Sequence, residues 1–417
     1  MRFPIPPLPP APGHEARGRP LRDLALESIW YSSGLSRADL ARRLEVSRST
    51  ASELVGDLLG TRLVVEAGDG PSRGGRRPIL LEFQDDAHVI LGVDMGATHV
   101  AVTLTNLRGR ILDWREATHP VRSDPEGTRA LIARLCDEAL AEVEGSRRIL
   151  LGLGIAVPCP VDHREPHRLS EIVLPDWRGR SGFEAFQARY GVPVLVDNDA
   201  NLGALAERWW GAGRGVEHFT FIKLAMGIGA GHMFGGQIYR GATNVAGEIG
   251  HISIDPQGET CLCGNRGCLA TFIGGEALVR KARAMVADAP ESLLAVGPIT
   301  PGSIEEAALK RDPVAMQLVR DAAHHLGVAI AGLLNLLNPG AVILGGSMAR
   351  LKDDLLVPLR ETVVRRTLVN SVAASEIRVS ELGPQGIALG ASTLVLSSAL
   401  SDPELFPGVA NLSANRP

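Results

Sequence analysis

The chain has no uninterrupted run of 18 apolar residues; the nearest, residues 326–344, is broken by Asn335, Asn338 and Pro339. A membrane-spanning helix needs about that length, so no membrane partner is expected. The first residues, FPIPPLPPAPG over 3–13, lack the apolar core of a secretory signal. Cysteine is scarce and odd in number: 5 in 417 residues, with Cys261, Cys263 and Cys268 close together. A secreted disulfide framework spreads an even number along the chain, so a reduced, cytoplasmic setting fits better. Charge of one sign does not dominate either, since the net charge is −4. Lysine is rare at 4 of 43 basic residues, which lowers the weight of any single arginine cluster. With 45% hydrophobic and 22% charged residues the chain is neither disordered nor fibrous, and its length suggests two or three domains.

What charge there is lies unevenly. Up to Leu81 there are 12 Arg against 9 acids, and beyond it 31 basic against 38 acidic residues. A basic segment on an acidic body suggests an attached nucleic-acid-binding module. After a proline-rich tail (1–20), left without structure, residues 21–33 read as an amphipathic helix ending at Gly34. Ser36 and Asp39 form a capping box ahead of a short helix whose inner face is Leu40, Ala41 and Leu44. Ser47 caps a second helix with inner face Ala51, Leu54, Val55 and Leu58, which makes a helix-turn-helix. Its exposed start, Arg48, Ser49, Thr50 and Ser52, is suited to base edges and phosphates. Strands at 63–66 and 79–83 then flank a glycine-rich tip with Arg73, Arg76 and Arg77, a wing able to enter a minor groove. Glu45, where such turns often have glycine, weakens the motif, and a small protein-interaction domain with a solvated linker is the blander alternative. A helix-turn-helix followed directly by an Arg/Gly wing is much rarer by chance. The winged module is assigned to 21–85.

From Val89 strands and helices alternate, the mark of an α/β body. Strands are expected at 89–94, 99–105, 110–116, 149–157, 192–197 and 341–344, and helices at 125–144, from about Asn198, and at 386–398. Residues 220–224, 225–231 and 232–239 repeat the strand, glycine turn and strand of 89–105. Two related lobes with a cleft between them follow: lobe I over 86–196 and 386–400, lobe II over 197–385, and a tail at 401–417. An acidic residue at a strand end before a Gly/Thr turn suits a phosphate or a metal, although a tight hairpin asks for the same residues.

His251, Cys261, Cys263 and Cys268 offer three thiolates and an imidazole within 18 residues. That spacing predicts a closed site for structural zinc. Cys136 and Cys159 read as core residues. Glu248, three residues before His251, would face the outer imidazole N–H, an acceptor beside a donor that suits the vicinal hydroxyls of a sugar. The alternative is that Glu248 only supports the metal site.

The GGRRP wing, DMGATH, PCPVD, VDNDAN, AGEIGH and CLCGNRGCLAT resemble, in that order, the repressor–open reading frame–kinase (ROK) family, from residue 21 to about 398. The resemblance implies an N-terminal winged helix-turn-helix on a two-lobed α/β body of the actin-like ATPase, sugar kinase-like fold. It implies zinc at His251, Cys261, Cys263 and Cys268, and sugar contacts at Asn198, Asp199, Glu248 and His251. Asp199 is the catalytic base if kinase activity survives, and phosphate contacts fall on Gly96, Thr98, Gly227, Gly229, Gly345 and Gly346. Members with the N-terminal module are mostly sugar-sensing transcriptional regulators, so a homodimer or dimer of dimers acting as a repressor on operator DNA is expected, released by a sugar-like effector. The runner-up is a sugar kinase with an appended DNA-binding module. Against it stand Ala97, Met226, Ala270, Ile172 and Cys159, each at a position where the kinases usually have another residue. Losing one contact to a buried hydroxyl costs about 1–3 kcal/mol.

Overall fold

A computed structural model describes residues 20–32, 34–61, 63–71, 77–146, 148–367 and 375–402. The proline-rich start, Arg73 and Arg76 of the wing tip and residues 403–417 lie outside the described residues.

Helix α1 (Leu21–Trp30) is shorter than the 21–33 expected from periodicity, because the chain turns at Tyr31. After β1 (Leu35–Ser36) comes α2 (Arg37–Arg43), opened by the reciprocal Ser36–Asp39 capping box. Glu45 takes a left-handed backbone (φ 56°), which explains why this turn so often holds glycine. Helix α3 (Arg48–Gly60) begins with the Ser47 hydroxyl accepting from the Thr50 amide. Leu40, Ala41, Ala51, Val55 and Leu58 are buried where the two helices meet. Strands β2 (Val64–Asp69) and β3 (Ile79–Phe83) pair antiparallel, and β1 adds to β3. Strand β2 runs three residues past the expected end by absorbing an irregularity between Glu66 and Asp69.

The body holds two five-stranded sheets. In the first, β4 (His88–Met95), β5 (His99–Asn106) and β6 (Ile111–Thr118) form an antiparallel meander. Helix α4 (Pro125–Ala141), β7 (Ile149–Val157), α5 (Glu184–Tyr190) and β8 (Val194–Asn198) follow, giving the order β6-β5-β4-β7-β8 with the last pairs parallel. Helix α6 (Asp199–Trp210) crosses to the second sheet. There β9 (Phe219–Leu224), β10 (Ile228–Phe234) and β11 (Gln237–Tyr239) are again an antiparallel meander. After α7 (Leu269–Ile273), α8 (Gly275–Val286), α9 (Pro301–Leu309) and α10 (Pro313–Leu337), strand β12 (Ala341–Gly345) joins β9 in parallel. Helix α11 (Asp353–Arg366), β13 (Glu376–Val379) and α12 (Gly386–Ser401) complete the chain, and the order β11-β10-β9-β12-β13 repeats that of the first sheet.

The repeat differs from the sequence expectation in one respect. The glycines of 225–231 do not form one long turn, since Ile228 already begins β10. Gly231 is a strand residue: a Cβ there would stand 2.2 Å from the Ala200 carbonyl oxygen of α6. Its glycine serves close packing of helix on sheet, not chain reversal. Helix α12 sits on the first sheet in the same manner, with its Ala391 carbonyl 2.0 Å from where Gly154 would carry a Cβ.

The N-terminal module is not hung on a linker. Leu26, Ile29, Trp30, Leu63 and Phe83 share one core with Leu107, Leu151, Trp210, Leu396 and Leu400 of the body. The Trp30 indole donates to the Leu107 carbonyl at 3.0 Å and lies 5.2 Å, centroid to centroid, from Trp209. The Arg108 guanidinium stacks 4.5 Å above Trp30. Among the described residues no helix is long and apolar enough to cross a membrane.

Candidate functional site

Strand β8 ends where α6 begins, and this junction brings together several of the expected site residues. The Asn198 side chain caps α6, accepting from the amides of Ala200 at 2.9 Å and Asn201 at 3.2 Å. Its amide nitrogen donates to the Cys159 carbonyl at 3.2 Å. Asn198 therefore fixes the turn that aims Asp199, the first residue of the helix. Asp199 is buried and accepts from the Lys223 ammonium of β9 at 2.5 Å. Next to it Asp197 accepts from the Asn201 side chain at 3.2 Å and pairs with Arg240.

Lys223 and Arg240 were absent from the sequence expectation. A signal for Lys223 was available. It is one of only 4 lysines and sits inside the apolar strand FTFIKL, where an ammonium must find a buried partner. Burial opposes its charge, but the Asp199 and Asp94 carboxylates outweigh burial and hold its pKa above the ordinary lysine value. Burial pushes the Asp199 carboxyl up, with Lys223 pulling against it. For Asp94, at the end of β4, burial is outweighed by His99 and Lys223, and its carboxyl stays below the usual range.

On one side of this centre lies the cysteine loop. One ligand atom from each of His251, Cys261, Cys263 and Cys268 lies within 4.8 Å of all the others. Cys263 Sγ is 3.7 Å from Cys268 Sγ, and Cys261 Sγ is 3.5 Å from His251 Nδ1. A tetrahedron with bonds of about 2.3 Å to sulfur and 2.0–2.1 Å to nitrogen has edges close to these lengths. The four residues thus fit a tetrahedral metal ion. With Nδ1 turned to the sulfurs, His251 Nε2 faces the half-buried Glu248 at 3.8 Å. Burial, and then the charge of Asp199, raises the Glu248 carboxyl above its ordinary value. Cys159 is buried and its thiol is pushed up to about 12 by burial; Cys136 is likewise buried.

On the other side three of the expected phosphate positions, Gly96, Gly345 and Gly346, pack closely against the protein on the face a Cβ would take. The His99 ring covers Gly96, where a Cβ would lie 2.3 Å from its Cε1, and His99 Nε2 stands 3.4 Å from Asp94. Thr98 is exposed. The Met226 sulfur lies 2.5 Å from where Gly275 would carry a Cβ, at the start of α8. A Cβ at Gly345 would meet the Phe221 ring at 2.4 Å, and one at Gly346 (φ 91°) the Leu224 carbonyl at 2.2 Å. Gly229 faces Ala200, whereas Gly227 is exposed with open space beside it.

In the N-terminal module Arg48, Ser49, Ser52 and Arg77 are exposed and Thr50 partly so. The Ser49 and Thr50 hydroxyls lie 2.7 and 2.8 Å from that of Ser47, and Ser52 bonds back to the Arg48 carbonyl.

A model of the ROK family matches residues 90–398. The chain is 33% identical over 387 residues to the putative xylose repressor of Caldicellulosiruptor sp. (strain Rt8B.4), covering 91% of this chain and 96% of that one. Among solved structures, a ROK family transcriptional regulator described as a homologue of the E. coli MLC protein superposes with a TM-score of 0.79 at 24% identity. That match covers 94% of this chain and 98% of the other, and it shares the fold. A ROK family glucokinase from Streptomyces griseus, solved with glucose and AMPPNP, gives a TM-score of 0.64 at 31% identity. It covers 73% of this chain and 98% of its own.

Proposed function

The chain belongs to the ROK family, and from that premise we propose that it is a DNA-binding transcriptional repressor whose kinase-like body senses a sugar or sugar derivative. The observation that carries this reading is α6. Its first residue, Asp199, is one of the expected ligand contacts, and its last two, Trp209 and Trp210, pack against Trp30 of the N-terminal module. Twelve helical residues span about 18 Å, so one rigid element joins the two sites.

A sugar hydroxyl pair is held by Asp199, Glu248 and His251, with Asn198 fixing the turn. The lobe arrangement that makes these contacts best is favoured by the effector. Helix α6 carries the change to Trp30 and so to α3. Effector shifts the equilibrium only by its differential affinity, typically about 1–3 kcal/mol. His251, Cys261, Cys263 and Cys268 hold a structural zinc ion, which contributes a fixed loop and so the aim of Glu248 and His251. Two copies in the cytoplasm, as a homodimer or a dimer of dimers, set their recognition helices on half-sites about 34–36 Å apart. Arg48, Ser49, Thr50 and Ser52 approach base edges and phosphates, and Arg73, Arg76 and Arg77 the minor groove. Similarity to xylose repressors supports a pentose or a related sugar as effector.

The kinase reading keeps one supporting observation, that Asp199 stands at the start of α6 with Thr98 exposed beside the first turn. Met226 and Ala270 weigh against it. The test is fluorescence-anisotropy binding to DNA upstream of the chain's own coding region, titrated with xylose, other monosaccharides and their phosphates. Salt-dependent binding released by one sugar is the expected outcome. Absence of DNA binding, together with sugar-dependent ADP production abolished in Asp199→Ala, would establish the kinase instead.

A further inference from the structure

We infer that Lys223 is the resident counter-ion of this cleft and sets its specificity: it pairs with Asp199 from within while His99 faces Asp94, so that the site takes a neutral polyhydroxylated ligand without a nucleotide or a divalent cation. The inference rests on the sensor reading for the ligand, but its electrostatic core does not.

Lys223 projects from β9, and its side chain is 9% exposed. It meets one carboxylate oxygen of Asp199 at 2.5 Å and also acts on the charge of Asp94 across the cleft. One oxygen of Asp94 faces His99, and the other is buried with no hydrogen-bond partner among the described residues. Two buried carboxylates beside each other are what a phosphotransferase offers to a divalent cation that bridges phosphate oxygens. Here an ammonium already pairs with one of them and acts on the charge of the other. A dication entering the same place would be repelled by Lys223 at short range in a poorly screened interior. Two of the turns on this side are also closely packed by side chains, with the His99 ring over Gly96 and the Met226 sulfur against Gly275. A magnesium–nucleotide complex therefore does not fit the residues present. What remains is favourable to a different ligand. With one oxygen held by Lys223, Asp199 has its second oxygen as a fixed acceptor for a hydroxyl. With Lys223 on Asp199 and His99 on Asp94, each carboxylate already has a resident partner. Lys223 is in this sense a positioning residue.

The test uses thermal melts of the full chain with MgCl2 alone and with MgCl2 plus AMPPNP. Wild type should show no shift in either. Lys223→Met, which keeps length and removes charge, should melt lower and be raised by millimolar MgCl2, because Asp199 is left without its cation beside Asp94. The double variant Lys223→Met/Asp199→Asn should recover much of the loss and respond less to MgCl2. If Lys223→Met is insoluble, recovery of a folded protein in the double variant still supports the pairing. A wild type stabilised by MgCl2 as strongly as Lys223→Met, a soluble Lys223→Met indifferent to MgCl2, or a double variant no more stable than the single one would overturn it. DNA binding, measured separately by anisotropy, reports on the sensor reading whichever way the melts fall.

Discussion

The two sides of the cleft retain their sequence motifs to very different effect. On the cysteine-loop side, His251, Cys261, Cys263 and Cys268 converge to tetrahedral spacing, and Glu248 faces the outer nitrogen of His251. On the phosphate side, Gly96, Gly345 and Gly346 are present in sequence, but His99, Phe221 and the Leu224 carbonyl occupy the space beside them. The difference teaches that a glycine motif and a ligand motif degrade differently. Ligand side chains either meet or do not, because their chemistry is in their own atoms. Glycines mark only a place where something comes close, and that something can be a phosphate or the protein itself.

The largest expected effect tests the intact side. Replacing Cys263 with Ser removes one thiolate from a closed set of four, and zinc affinity in such sites contributes on the order of 10 kcal/mol. The variant should lose bound zinc, measured by atomic absorption, and lose sugar-triggered release from DNA. Its affinity for DNA without sugar should persist, since Leu40, Val55, Leu58 and Trp30 pack in a core remote in sequence from the loop. A Cys263→Ser protein that keeps stoichiometric zinc and full sugar response would break the comparison on its stronger side.

The next pair of substitutions separates two glycines on the phosphate side. Gly346→Ala places a side chain at φ 91° and 2.2 Å from a backbone oxygen, and should cost about 3 kcal/mol or more in urea denaturation. Gly227→Ala meets open space on an exposed turn and should change stability by less than about 0.5 kcal/mol. Equal, small effects at both would mean that Gly346 is not committed to packing.

Much of this was legible in the sequence, for a physical reason. Capping by Ser36, Asp39 and Ser47 acts over three residues, and the cysteine spacing acts over eighteen, so both are written locally. Most strands followed from apolar runs, and two related lobes from the repeated strand–turn–strand unit, whereas β13 was not expected. What could not be read depends on distant pairing. The Lys223–Asp199 ion pair joins β9 to α6, and the Trp30–Trp209 contact joins residues far apart in the chain. Nor does sequence distinguish a glycine that turns the chain from Gly231, which lets α6 approach β10.

The smallest effect concerns His99, the ring that closes the first turn. Burial opposes its protonation, but the Asp94 carboxylate outweighs burial and raises its pKa above the ordinary histidine value. A histidine raised on folding binds its proton more tightly in the native state. Its contribution is therefore fully present below the unfolded value near 6.5 and is lost as pH rises through the raised one. His99→Gln should flatten that part of the pH–stability curve while leaving zinc content and DNA affinity unchanged. If His99→Gln instead leaves the curve intact, the ring is not bound to Asp94 through charge. The first turn would then be covered by packing alone, which would make the two sides of the cleft differ in shape but not in electrostatics.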